Sequence, residues 1–177
     1  MRPPPIALCR LLLLIGVLAC GYAQAGWRAD LPDARLVGSA EFRTWGLDIY
    51  TARLWAPGAR LNESDGFALE ITYRRAVSRE RLVEVSLEEI QRLSATPLTA
   101  AQRDQWQAQM QQAFVDVEAG MRITGVYVPG LGCRFYVGER LQHEVRDQAF
   151  ARAFFAIWLD PRSRYPDLRR QLLGASP

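Results

Sequence analysis

Few residues in this chain have side chains suited to chemistry, and their types narrow what that chemistry is. There is no lysine and one histidine among 177 residues, so a Schiff base, a lysine acid or base and a zinc site of the usual composition are all excluded. Cys133 and His143 are a nucleophile and a base ten residues apart across a turn, a spacing that a buried thiol and a surface imidazole explain as well. Glu88 and Glu89 are adjacent on a helical pattern and point apart, so they do not form a catalytic carboxylate pair. Arginine and tyrosine remain. Arg43 and Tyr50, set facing a cleft, suffice to hold a carboxylate, because guanidinium binds it through paired hydrogen bonds. Tyr73 is a second phenol of the same kind. The plainer reading makes Arg43 and Arg53 solvated or ion-paired strand arginines, Arg122 a strand-end ion pair, and Tyr50 and Tyr73 core aromatics.

These residues sit in a chain that begins like an exported one. Arg2 and Arg10 precede the apolar run Leu11 to Cys20, and Ala23-Gln24-Ala25 follows as a small-residue cleavage site. The run is too short to span a bilayer, which takes roughly 20 apolar residues. We expect cleavage after Ala25, a periplasmic destination and a domain over 26–177. The alternative is a lipoprotein signal with Cys20 as the lipid-bearing first residue. Two of the 22 arginines lie in this leader and none of the 19 carboxylates does. The remainder is close to neutral, which makes nucleic acid an unfavoured partner. Cys9 and Cys20 fall in the leader as well, so Cys133 has no internal partner for a disulfide.

The elements that position the candidate residues follow from periodicity. Short alternating stretches between Ala34 and Trp45 are broken by Gly38, and Gly46 marks a turn. Leu47 to Trp55 reads as a strand with Tyr50, Ala52 and Leu54 on one face and Ile49, Thr51, Arg53 and Trp55 on the other. Phe67, Leu69, Ile71 and Tyr73 alternate as a strand with one buried face. Ser78 caps a helix with the stripe Val83, Leu87, Ile90 and Leu93. Thr99 and Gln102 form a capping box before Trp106, Met110, Phe114 and Val117, and Gly120 marks that helix's end. Strands follow at Arg122 to Val128, Cys133 to Val137 and Leu141 to Val145. Asp147 opens a helix carrying Phe150, Phe154, Ile157 and Trp158, and a short helix spans Pro166 to Leu173. The order predicts an α+β domain, an antiparallel sheet with helices on one face.

The stretch Gly46-Leu47-Asp48-Ile49-Tyr50-Thr51-Ala52-Arg53-Leu54-Trp55, the strand end Ile71-Thr72-Tyr73-Arg74-Arg75, Phe154-Phe155-Ala156-Ile157-Trp158-Leu159 and the closing Leu168 to Gly174 together resemble the bacterial chalcone isomerase-like proteins. The resemblance implies an open-faced β-sandwich, a large antiparallel sheet backed by a helical layer. It also implies relatives of two kinds, flavonoid isomerases and non-catalytic fatty-acid binders. It aligns Arg43 with the isomerases' strand arginine and Thr51 or Tyr50 with their threonine. Their lysine has no counterpart here, and Asn62 lies in a loop. We therefore expect a binding protein for a small apolar or fatty-acid-like ligand, with Arg43, Tyr50, Thr51 and Tyr73 as candidate contacts and neither metal nor cofactor. An intramolecular lyase or isomerase and an envelope interaction protein stand as alternatives.

Overall fold

The computed structural model describes residues 26–175, so the leader and its cleavage site lie outside the described residues. Six strands form one antiparallel sheet in chain order: β1 (Arg35–Thr44), β2 (Leu47–Ala56), β3 (Phe67–Tyr73), β4 (Arg122–Val128), β5 (Gly132–Val137) and β6 (Arg140–Val145). Helices α1 (Arg79–Leu93) and α2 (Ala100–Ala113) interrupt the meander between β3 and β4, and α3 (Gln148–Leu159) and α4 (Pro166–Leu172) follow β6. Every neighbouring pair is antiparallel and the helices share one face, so the predicted α+β sheet backed by a helical layer is the observed fold.

Local signals account for most boundaries. The Ser78 hydroxyl accepts from the Arg81 N–H, Thr99 and Gln102 make a reciprocal capping box, and Asp147 accepts from the Phe150 N–H. Asp147 also accepts the indole N–H of Trp106 at 3.0 Å, which ties α2 to the start of α3. Helix α3 is apolar almost all round, as befits a helix packed on β5 below and flanked by α1 and α4.

Four details depart from the periodicity. β1 is one ten-residue strand despite Gly38, because the α4 backbone abuts it there: a Cβ on Gly38 would lie 2.1 Å from the Gln171 carbonyl oxygen. Helix α2 stops at Ala113, not near Gly120. Phe114 turns extended, and Val117 exchanges backbone hydrogen bonds of 2.9 and 3.0 Å with Val77. The extended segment also delivers Asp116, whose carboxylate accepts the Arg79 N–H at 2.8 Å at the start of α1. β3 is buried on both faces. Ala68 lies under Trp27, and Glu70, 3 % exposed, is held by Arg53 and Arg122 at 3.3 and 3.4 Å. His143 is half-buried and hydrogen-bonded to Gln109 on α2 at 2.7 Å, so it is not a surface imidazole.

The packing leaves one gap that matters. α3 lies on β5, α2 on β6 and α4 on β1, whereas α1 packs on α2 and α3 and stands off the sheet. Its buried stripe, Val83, Leu87 and Ile90, is used against the rest of the core. A second stripe at helical spacing, Leu82, Val85, Ser86 and Glu89, faces the space left over β2 and β3.

Candidate functional site

That space is a cleft of about 580 Å³ between the sheet and α1, α3 and α4. This falls within the roughly 300–1,000 Å³ of small-molecule sites. Its floor is Leu69, Ile71 and Ile123 of the sheet, its walls include Leu82 and Val85 on one side and Phe154 and Ile157 on the other, and its rim carries Trp45 and Tyr165. The lining is chiefly apolar.

Hydroxyls interrupt it at Thr44, Ser163 and Tyr165 and, with most bearing on a ligand, at Tyr50, Tyr73 and Ser86. Tyr50 on β2 accepts the indole N–H of Trp158 at 3.0 Å, a bond that crosses from α3 to the sheet. Its ring stacks on Phe42 at 4.9 Å and meets Tyr73 edge-on at 6.3 Å. Tyr73, 8 % exposed, has no hydrogen bond from its hydroxyl among the described residues, and neither has the buried Ser86. Burial pushes both phenols well above the ordinary tyrosine range, and the bond from Trp158 offsets a part of this for Tyr50. Both are therefore firmly protonated donors.

Cations reach only the rim. Arg81 is paired with Glu84 at 2.6 Å, and Arg164 with Glu89 at 2.6 Å, the latter carboxylate being shared with Arg92 at 2.7 Å. Glu88 stands beside them.

The four candidate residues divide between the two faces of the sheet. Tyr50 and Tyr73 line the cleft, while Arg43 and Thr51 lie on the opposite face, so Arg43 does not face the cleft as the carboxylate-holding arrangement requires. A β-bulge is the reason. The turn at Trp45-Gly46 pairs Thr44 with Leu47 and Arg43 with Asp48, but Phe42 then pairs with Tyr50 and skips Ile49. Without that extra residue Tyr50 would stand opposite Glu41 and share a face with Arg43. Arg43 is instead bound to Glu41 at 3.0 Å and to Asp48. Thr51 accepts from the Arg74 guanidinium at 3.0 Å. These groups, with Arg53, border a shallow polar depression in which each arginine has a local partner, and Arg122 outside it is paired with Glu70 and Glu139, as the ion-paired reading of Arg43, Arg53 and Arg122 expects.

Cys133 and His143 lie on neighbouring strands, and no hydrogen bond joins them. The thiol is fully buried, which raises its pKa and leaves it unsuited to act as a thiolate. Among the described residues no group of three histidine, cysteine or carboxylate side chains could hold a metal ion, and no helix is long and apolar enough to cross a membrane. The sequence reading missed Ser86, Leu82 and Val85 as cleft residues. Their spacing of three and four positions, beside a stripe already assigned to the core, was the available signal.

Residues 36–174 match the family described as chalcone isomerase-like. An uncharacterised protein of Haemophilus influenzae is 28% identical over 140 residues, which cover 78% of this chain and 67% of that one. The crystal structure of a fatty-acid binding protein of Arabidopsis thaliana shares the fold, with a TM-score of 0.59 at 12% identity over 80% of this chain and 87% of the other.

Proposed function

We propose that this chain, which belongs to the chalcone isomerase-like family, binds a small apolar or fatty-acid-like molecule in the cleft between α1 and the sheet and does no chemistry on it. The observation that carries this reading is the cleft itself: apolar walls, the hydroxyls of Tyr50, Tyr73 and Ser86 among them, and no cation at depth. A binding site needs no more than that. A ring-closing isomerase needs a fixed cationic donor where an enolate develops. Arg43, the residue aligned with that role, is on the other face of the sheet, and the chain has no lysine. The shared fold with a fatty-acid binding protein makes long-chain acyl compounds the class to test first. Export is part of the same proposal: a leader over 1–25, cleavage after Ala25 and a periplasmic protein, with lipidation at Cys20 as the competing form.

Native mass spectrometry of the purified protein, followed by titration with acyl compounds, tests the binding reading. A co-purified or added ligand at one per chain is expected. A chain that takes up none of them, or that turns over a chalcone with a rate lost in Arg43→Ala, refutes it. The intact mass of the protein from a periplasmic extract separates cleavage after Ala25 from a lipid-bearing Cys20.

A further inference from the structure

We infer that the cleft selects an uncharged acyl carbonyl, such as that of an ester, over a free carboxylate; this rests on the binding reading above. The inner polar groups are donors without a counter-charge. The Tyr50 oxygen is already engaged by Trp158, so what it has left to offer is its proton. Tyr73 is a buried residue whose hydroxyl has no hydrogen bond among the described residues and lies on the cleft, so its proton is free for an acceptor on a bound molecule. A carbonyl oxygen on an apolar body meets this need and brings no charge into the site.

A carboxylate meets it badly. The same desolvation that keeps both phenols protonated acts on any anion beside them. Arg81 and Arg164 are tied to Glu84 and Glu89 at the rim, and Glu88 adds a repulsive charge there. Arg43, which could compensate, is separated from the cleft by the sheet. Discrimination of this kind comes from the site's own polar groups, and it favours the ligand that pairs them without burying a charge.

The experiment titrates the full chain at pH 8 with methyl decanoate, decanoic acid and decane, and repeats it with Tyr73→Phe and Tyr50→Phe. The ester is expected to bind at least tenfold more tightly than the acid. Its advantage over decane should fall to within about threefold in Tyr73→Phe, where ring packing is kept and the donor is lost. The acid should gain affinity as the pH is lowered towards its own pKa. Acid binding equal to or tighter than ester binding at pH 8 overturns the inference and leaves the binding reading standing. An ester preference that survives both tyrosine substitutions also overturns it. Failure of all three probes to bind removes the binding reading and this inference with it.

Discussion

The indole N–H of Trp158 on α3 donates to the phenol oxygen of Tyr50 on β2 at 3.0 Å, and this bond bridges the helical layer and the sheet beside the cleft. It fixes which way the Tyr50 hydroxyl can act. Trp158→Phe removes the donor and part of the packing against Phe154, whose ring centre lies 5.4 Å away. Urea denaturation should show a loss of about 1–2 kcal/mol, in keeping with a part-buried hydrogen bond lost together with some volume. An unchanged midpoint and slope would mean that the bond contributes nothing.

Trp45 is the residue least suited to where it stands. It is 95 % exposed and takes φ 52° in the two-residue turn between β1 and β2, followed by Gly46 at φ 73°. Positive φ at both central positions is a type I′ turn, which prefers Asn-Gly. Its place at the rim of the cleft gives the tryptophan a use that the turn does not. Trp45→Asn should raise stability by up to about 1 kcal/mol by relieving the left-handed conformation, yet speed release of a bound acyl ester several-fold. Thermal unfolding and stopped-flow dissociation together check this; slower unfolding with unaltered release would confine Trp45 to the turn.

The strands, caps and helix stripes were legible in the sequence because each rests on local physics. The apolar alternation of Phe67, Leu69, Ile71 and Tyr73 marks a strand, although both its faces are buried; Ser78, Thr99 and Asp147 cap, and Val83, Leu87 and Ile90 recur at helical spacing. The site was half legible. Tyr50 and Tyr73 share a face because they pair directly across β2 and β3. Whether Arg43 shares that face was not legible: one skipped residue at Ile49 puts it on the other side, since register decides the face and no local signal marks the bulge. The end of α2 was missed for a related reason: Trp106, Met110, Phe114 and Val117 fit a helix, but backbone pairing of Val117 with Val77 took the last two.

Gly38 is required by a close approach between backbones. A Cβ there would meet the carbonyl oxygens of Gln171 and Leu172 at 2.1 and 2.5 Å, and backbone at the end of α4 cannot yield as a flexible side chain would. Gly38→Ala should cost about 3 kcal/mol, at the upper end for overpacking. Because α4 also supplies Leu168 to the cleft wall, displacing it should weaken ligand binding as well as stability. Hydrogen exchange confined to α4 and β1 would locate the effect; wild-type stability in this variant would contradict the contact.

Alkaline pH should unfold the protein through its buried phenols. Tyr50 and Tyr73 are pushed above the ordinary tyrosine value by burial, and Tyr136 by burial together with its hydrogen bond to Asp30. A raised folded pKa means that the folded state favours the neutral phenol. The stability this provides is fully present below the unfolded value of about 10 and is lost as pH rises above it towards the folded values. Phenolate absorbance should therefore show these tyrosines ionising together with unfolding above about pH 10 and not before. In Tyr73→Phe, which has no proton to lose at that position, the decline of unfolding free energy above about pH 10 should be shallower than in the wild type. Parallel declines in the two proteins would mean that the Tyr73 hydroxyl titrates freely, and it would then not be the buried donor that the cleft requires.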